Sequence, residues 1–169
     1  MMLDISVEAD AEWDSRIGWA ALAERAVAAA VAESAFPQLA TSERSVEVAL
    51  RLTSDDAVRT LNAEWRGKDK STNVLSFPLA EAGDLGVTGN ADGPELMLGD
   101  IVLAHGVCAT EAAEKCVPIA DHAAHLIVHG TLHLLGYDHG DDATAEAMEA
   151  REVRALARLG IADPYAGDR

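Results

Sequence analysis

The stretch PIADHAAHLIVHGTLHLLGYDH, residues 118–139, decides how the chain is read. Pro118 suits the first turn of a helix and Gly136 suits its end, so the spacing predicts a helix over 118–135. Five of the six histidines fall between 122 and 139. On that helix His122, His125, His129 and His133 share an arc of about 80°, while Ile127, Val128, Leu132, Leu134 and Leu135 occupy the other sides. An apolar helix with one imidazole stripe is costly unless the ring nitrogens have partners, and a cation would satisfy several at once. The sharpest part is His129-x-x-x-His133-x-x-Gly136-x-x-His139. Histidines four apart stand one turn above another and reach a common ion. A left-handed residue at Gly136 would then bring His139 back to it. Three imidazoles leave one position open, the pattern of a catalytic rather than a closed structural site, and zinc is the expected ion.

His125, one turn before His129, is a candidate to support a ligand or to meet substrate. An ordinary buried histidine accounts for His122, and no spacing argument attaches to His105. The triad spacing matches the signature of metzincin proteases except at Gly130, where those enzymes carry the Glu that accepts a proton. That departure counts against a metalloprotease. Asp138 and Asp100 are the alternative candidates for proton transfer.

Moving outward, the strands and helices alternate. Leu3, Ile5 and Val7 predict a short strand over 2–8, and Ile17, Leu22, Val27 and Val31 a helix over 14–35 that Phe36-Pro37 stops. SVEVALRL (45–52) reads as a half-buried strand. Thr53 and Asp56 resemble a capping box for a helix to about Trp65. TNVLSFP (72–78) and GDIVLA (99–104) read as two further strands, separated by a glycine- and acid-rich loop over 79–97. A helix to about Cys116 and a last one over 142–159, ending at Gly160, complete the pattern. Four strands and about five helices predict a single α+β or α/β domain over 1–169.

Composition limits the function. The net charge of -16 predicts a soluble chain that repels phosphate backbones over most of its surface. No stretch approaches the roughly 18–20 apolar residues of a membrane span. MMLDISVEAD lacks the basic start of a signal peptide. Cys108 and Cys116 are expected to be reduced thiols of a cytosolic protein. Of 13 Lys and Arg residues, Arg66, Lys68 and Lys70 crowd together, and only Lys115 lies between Lys70 and Arg151. The RGKDK segment is therefore the candidate anion site, with Arg66 able to hold a phosphate through two parallel hydrogen bonds.

With these residues in view, the chain resembles the YbeY family of bacterial rRNA maturation factors. The resemblance rests on HGTLHLLGYDH (129–139), WRGKDKSTNVLSFP (65–78), LGDIVL (98–103) and the closing Asp163-Pro164-Tyr165. It runs from about residue 45 to 165. It implies a zincin-like α+β fold and zinc held by His129, His133 and His139. It further implies a cytoplasmic, metal-dependent endoribonuclease acting in small-subunit (16S) rRNA 3′-end maturation and ribosome quality control. The ribosomal small subunit with its proteins, and the GTPase Era, are the partners it implies. The family's important arginine corresponds to Arg66. Catalysis is then expected from Arg66 and the His129 centre, and substrate binding from Arg66, Lys68 and His125. Unpaired nucleotides fit a cleft better than a stiff duplex, so the expected substrate is single-stranded RNA. Water or the RNA's own 2′-hydroxyl can serve as nucleophile. The competing reading is a non-catalytic assembly factor with a structural zinc site.

Overall fold

Val46, Val48, Leu50 and Leu52 all point into the core from strand β2, Val46–Thr53, as their alternation requires. Around it the computed structural model, which describes residues 3–41, 45–80 and 95–166, builds a four-stranded sheet in the order β1-β2-β4-β3. Strand β1 is Leu3–Ala9, β3 is Val74–Pro78 and β4 is Leu96–Ala104. The first three neighbours are parallel, and β3 runs antiparallel to β4 at the edge. Five α-helices accompany these strands among the described residues: α1 Trp19–Ala32, α2 Asp55–Arg66, α3 His105–Lys115, α4 Ile119–Leu134 and α5 Asp142–Arg158. The α+β expectation is borne out.

The main core lies between one sheet face and α1, α4 and α5. Ala23, Ala26 and Ala30 of α1 and Ala123 and Ala124 of α4 are all buried, small enough for close helix packing. Ile101 and Leu103 of β4 face this core, whereas Val102 and Ala104 join Val58 of α2 and Leu75 in a second, smaller cluster. Alternation along β4 thus places α4 and α2 on opposite faces of the sheet.

Several boundaries differ from the sequence expectation, each for a local reason. Helix α1 begins at Trp19 rather than 14, because Asp14 uses its carboxylate on the backbone and guanidinium of Arg16 and Trp13 anchors its indole N–H on the Thr53 carbonyl. The cap of α2 is Ser54, whose hydroxyl accepts from the Ala57 N–H, and not Thr53. Thr53 is still paired in the sheet opposite Ala104 and donates its hydroxyl to Asp10. Strand β4 starts at Leu96 rather than 99, running through Gly99. The carbonyl of Phe77 sits where a side chain at Gly99 would stand, and φ there is +143°. That glycine marks a close backbone approach inside the strand. Most of the loop expected over 79–97 lies outside the described residues.

Candidate metal centre

The site is assembled by the C-terminal half of α4 and the turn that follows. His129 and His133 are on successive turns of α4. Leu135 ends the helix, and Gly136 follows at φ +96°, the left-handed conformation expected of it. The N–H groups of Gly136 and Tyr137 return to the carbonyls of His133 and Leu132, so the chain reverses tightly. Tyr137 braces the turn by accepting the Ala35 N–H on its hydroxyl, with the Arg151 guanidinium over its ring. His139 is thereby returned to the other two. One ring nitrogen from each of His129, His133 and His139 lies within 4.8 Å of the others.

The donor set fits one small cation. Nε2 of His133 stands 3.1 Å from Nε2 of His129. Two nitrogens bound at about 2.0–2.1 Å to one tetrahedral zinc stand roughly 3.3 Å apart, so little adjustment is needed. The three rings are tilted rather than stacked, as convergence on a point requires. Burial, reinforced by His129 and His139, pushes His133 down to about 4, keeping its ring a neutral donor near pH 7. The group could hold a metal ion.

His125 is buried, and its Nε2 lies 3.0 Å from Oε1 of Glu152 and 3.1 Å from the Tyr165 hydroxyl. The same Oε1 lies 3.0 Å from Nδ1 of His129. Residue 152 escaped the sequence reading because it is on α5, remote in the chain from α4. One signal existed: Met148, Glu152, Ala155 and Leu156 share a helical face, so an acid sits on an otherwise apolar stripe. Burial alone would push Glu152 up, yet the hydrogen bonds from His125 and His129 hold it at about 2. Tyr165 is pushed upward by its burial and by that carboxylate. His122 pairs with Glu111 at 2.8 Å, away from the triad, in keeping with an ordinary buried histidine. His105 stacks edge-on against Trp13.

Gly130 has a physical reason. A β-carbon there would come within 3.0 Å of Ile101 and 3.1 Å of the Ser76 hydroxyl. Position 130 therefore faces the sheet, and no carboxylate fits there. Asp138 accepts the His139 N–H at 2.7 Å, and its charge acts on His133. Asp100 instead lines an apolar groove of about 630 Å³ with Trp65 and Phe77, on the sheet face of α2.

The RGKDK loop is held from below. Gly67 ends α2 in the left-handed region, and the buried Asn62 donates to the Lys70 carbonyl. Asp69 pairs with Arg59. The side chains of Arg66 and Lys68 are exposed, with no acid partner among the described residues. Helix α2, which carries Arg66 at its end, packs on the sheet face opposite α4. Both cysteines are free, Cys108 buried and Cys116 exposed. Among the described residues no helix is long and apolar enough to cross a membrane.

An α+β protein with three imidazoles gathered at the end of a buried helix is a class with known relatives. The family model described as Endoribonuclease YbeY matches residues 10–160. Curated relatives of that name include one from Sphingopyxis alaskensis, 57% identical over 98% of both chains, and one from Rhizorhabdus wittichii, 52% identical over 98% of both. The solution structure of TM1509 from Thermotoga maritima shares the fold with a TM-score of 0.54 at 22% identity, covering 93% of this chain and 92% of that one. The chain belongs to the endoribonuclease YbeY family.

Proposed function

We propose that this chain is a zinc-dependent, single-strand-specific endoribonuclease of the cytoplasm, acting in 16S rRNA 3′-end maturation and ribosome quality control. Family membership supports the ribonuclease role, and the convergence of His129, His133 and His139 supports the metal. That convergence is the observation that carries the reading. One zinc ion held by these imidazoles would supply Lewis-acid polarisation of a phosphoryl oxygen.

The chain's own residues supply the rest. Arg66 and Lys68, exposed and without acid partners among the described residues, bind and orient the RNA backbone through charge-assisted hydrogen bonds. They concentrate positive charge on a surface whose balance is strongly negative, so RNA is held locally rather than generally. Asp138 is the favoured proton acceptor over Asp100, because it borders the imidazoles while Asp100 opens on the other sheet face. His125, buried against Glu152, supports the centre from behind. The ribosomal small subunit and the GTPase Era are the expected partners.

Cleavage of a short single-stranded fragment of the 16S rRNA 3′ end tests the proposal. Zinc-loaded protein should cut it, chelator should stop cutting, and zinc should restore it. A folded, zinc-loaded chain that never cuts RNA would instead identify a non-catalytic assembly factor.

A further inference from the structure

We propose that Glu152 is a positioning residue for the metal centre, locking His129 in the Nδ1–H tautomer so that its Nε2 lone pair faces His133 and His139. The proposal rests on the reading of those three histidines as metal ligands and deepens it.

Glu152 is 1% exposed and lies on α5, a different helix from the imidazoles. Among the described residues it has no lysine or arginine partner. Three groups instead converge on one oxygen: Oε1 is 3.0 Å from His129 Nδ1, 3.0 Å from His125 Nε2 and 3.0 Å from the Tyr165 hydroxyl. A carboxylate accepts and does not donate, so all three must offer it a hydrogen. For a neutral His129 ring this leaves one arrangement, with the proton on Nδ1 and the lone pair on Nε2. That Nε2 is the atom 3.1 Å from His133. The ring is thus oriented and set in its binding tautomer by the protein alone.

The surrounding groups have a division of labour. His125 presents Nε2–H to the carboxylate, and its Nδ1 is buried without a partner, as fits a ring that donates on one side only. Tyr165 approaches from the C-terminal segment, where its backbone N–H is fixed by Asp163 at 2.8 Å. His125 and Tyr165 therefore hold the carboxylate, and the carboxylate holds the ligand. The Asp163-Pro164-Tyr165 ending acquires a purpose, reaching the metal centre through a single oxygen.

The experiment uses two readouts on the full chain. Long-range ¹H–¹⁵N spectra of the metal-free protein report the His129 tautomer, and competition with a chromophoric chelator reports zinc affinity. The wild type should show His129 as Nδ1–H. Glu152→Gln keeps an acceptor but loses the charge, so it should retain that tautomer and bind zinc about 10-fold more weakly, the lower end of the range for such partners. Glu152→Leu should lose the tautomer preference and fall about 100-fold; should it fail to fold, Glu152→Gln carries the test. Met148→Ala, a cavity one turn earlier on α5, should lower the melting temperature and leave zinc affinity unchanged, separating positioning from stability. Wild-type affinity in Glu152→Gln, or an Nε2–H tautomer in the wild type, overturns the proposal. Failure of the wild type to take up zinc overturns the metal reading itself, and the tautomer measured without metal distinguishes the two failures.

Discussion

Ile101 of β4 stands where a side chain at position 130 of α4 would have to go, its Cγ2 3.0 Å from the site of a β-carbon on Gly130. The residue that separates this chain from the metzincin signature is thus in the sheet–helix contact and not in the imidazole site. Gly130→Glu would bury a carboxylate between Ile101 and Ser76 with no cation to pair it. The expected cost is above about 3 kcal/mol, read as loss of the folded state in a urea titration, with no gain of chelator-sensitive peptidase activity on casein.

Arg66 is exposed at the end of α2, a helix that packs on the sheet face opposite α4. Arg66→Ala should leave zinc content and melting temperature unchanged, weaken RNA binding, and reduce the slope of log affinity against log salt by about 1. Equal loss of zinc would refute a role in holding phosphate.

Glu33 at the end of α1 ties down α5. Its carboxylate accepts from Arg154 at 3.0 Å and from Arg158, and its carbonyl from Arg151. The hydrogen bond from Arg158, joined by Arg154, holds Glu33 below its ordinary 4.5. A carboxyl depressed in the folded state contributes stability that is present above about pH 4.5 and lost as pH falls through the lowered folded value. Glu33→Gln should cost about 1 kcal/mol near pH 7, and the difference from wild type should shrink on acidification below pH 4.5.

Cys116 is the one non-glycine residue with positive φ among the described residues, at 56°. It ends α3, where glycine is the strain-free choice. Cys116→Gly should raise stability by about 1 kcal/mol. In the native protein a thiol reagent should modify Cys116 and spare Cys108, whose burial pushes its thiol up to about 12.

Legibility of the fold followed the length scale of the interactions. The β2 alternation and the α4 stripe were readable because both are local periodicities expressed over many residues. Gly136 was readable because a left-handed turn favours glycine wherever it occurs. The start of β4 was not, since Leu96 to Leu98 follow directly on a glycine- and acid-rich stretch, and their place in the sheet depends on pairing with β2 rather than on a local period. The N-cap of α2 slipped by one residue because Thr53 was needed by the sheet. In the site, the triad came from spacing on one helix and its turn. Glu152 depended on how α5 docks against α4, and so did the choice between the two roles open to His125, whose ring is buried against that glutamate. That Asp100 opens on the face covered by α2 and not on the triad's is likewise a matter of which sheet face each residue of β4 points to.

A single metal site built by His129, His133 and His139 has a stoichiometric consequence. Calorimetric titration of zinc into the metal-stripped chain, with His133→Ala alongside, measures it. The expected result is one ion per wild-type chain, and no specific binding in a variant that still folds. A wild-type chain that takes up no stoichiometric zinc, or a His133→Ala chain that binds as tightly as wild type, would contradict it.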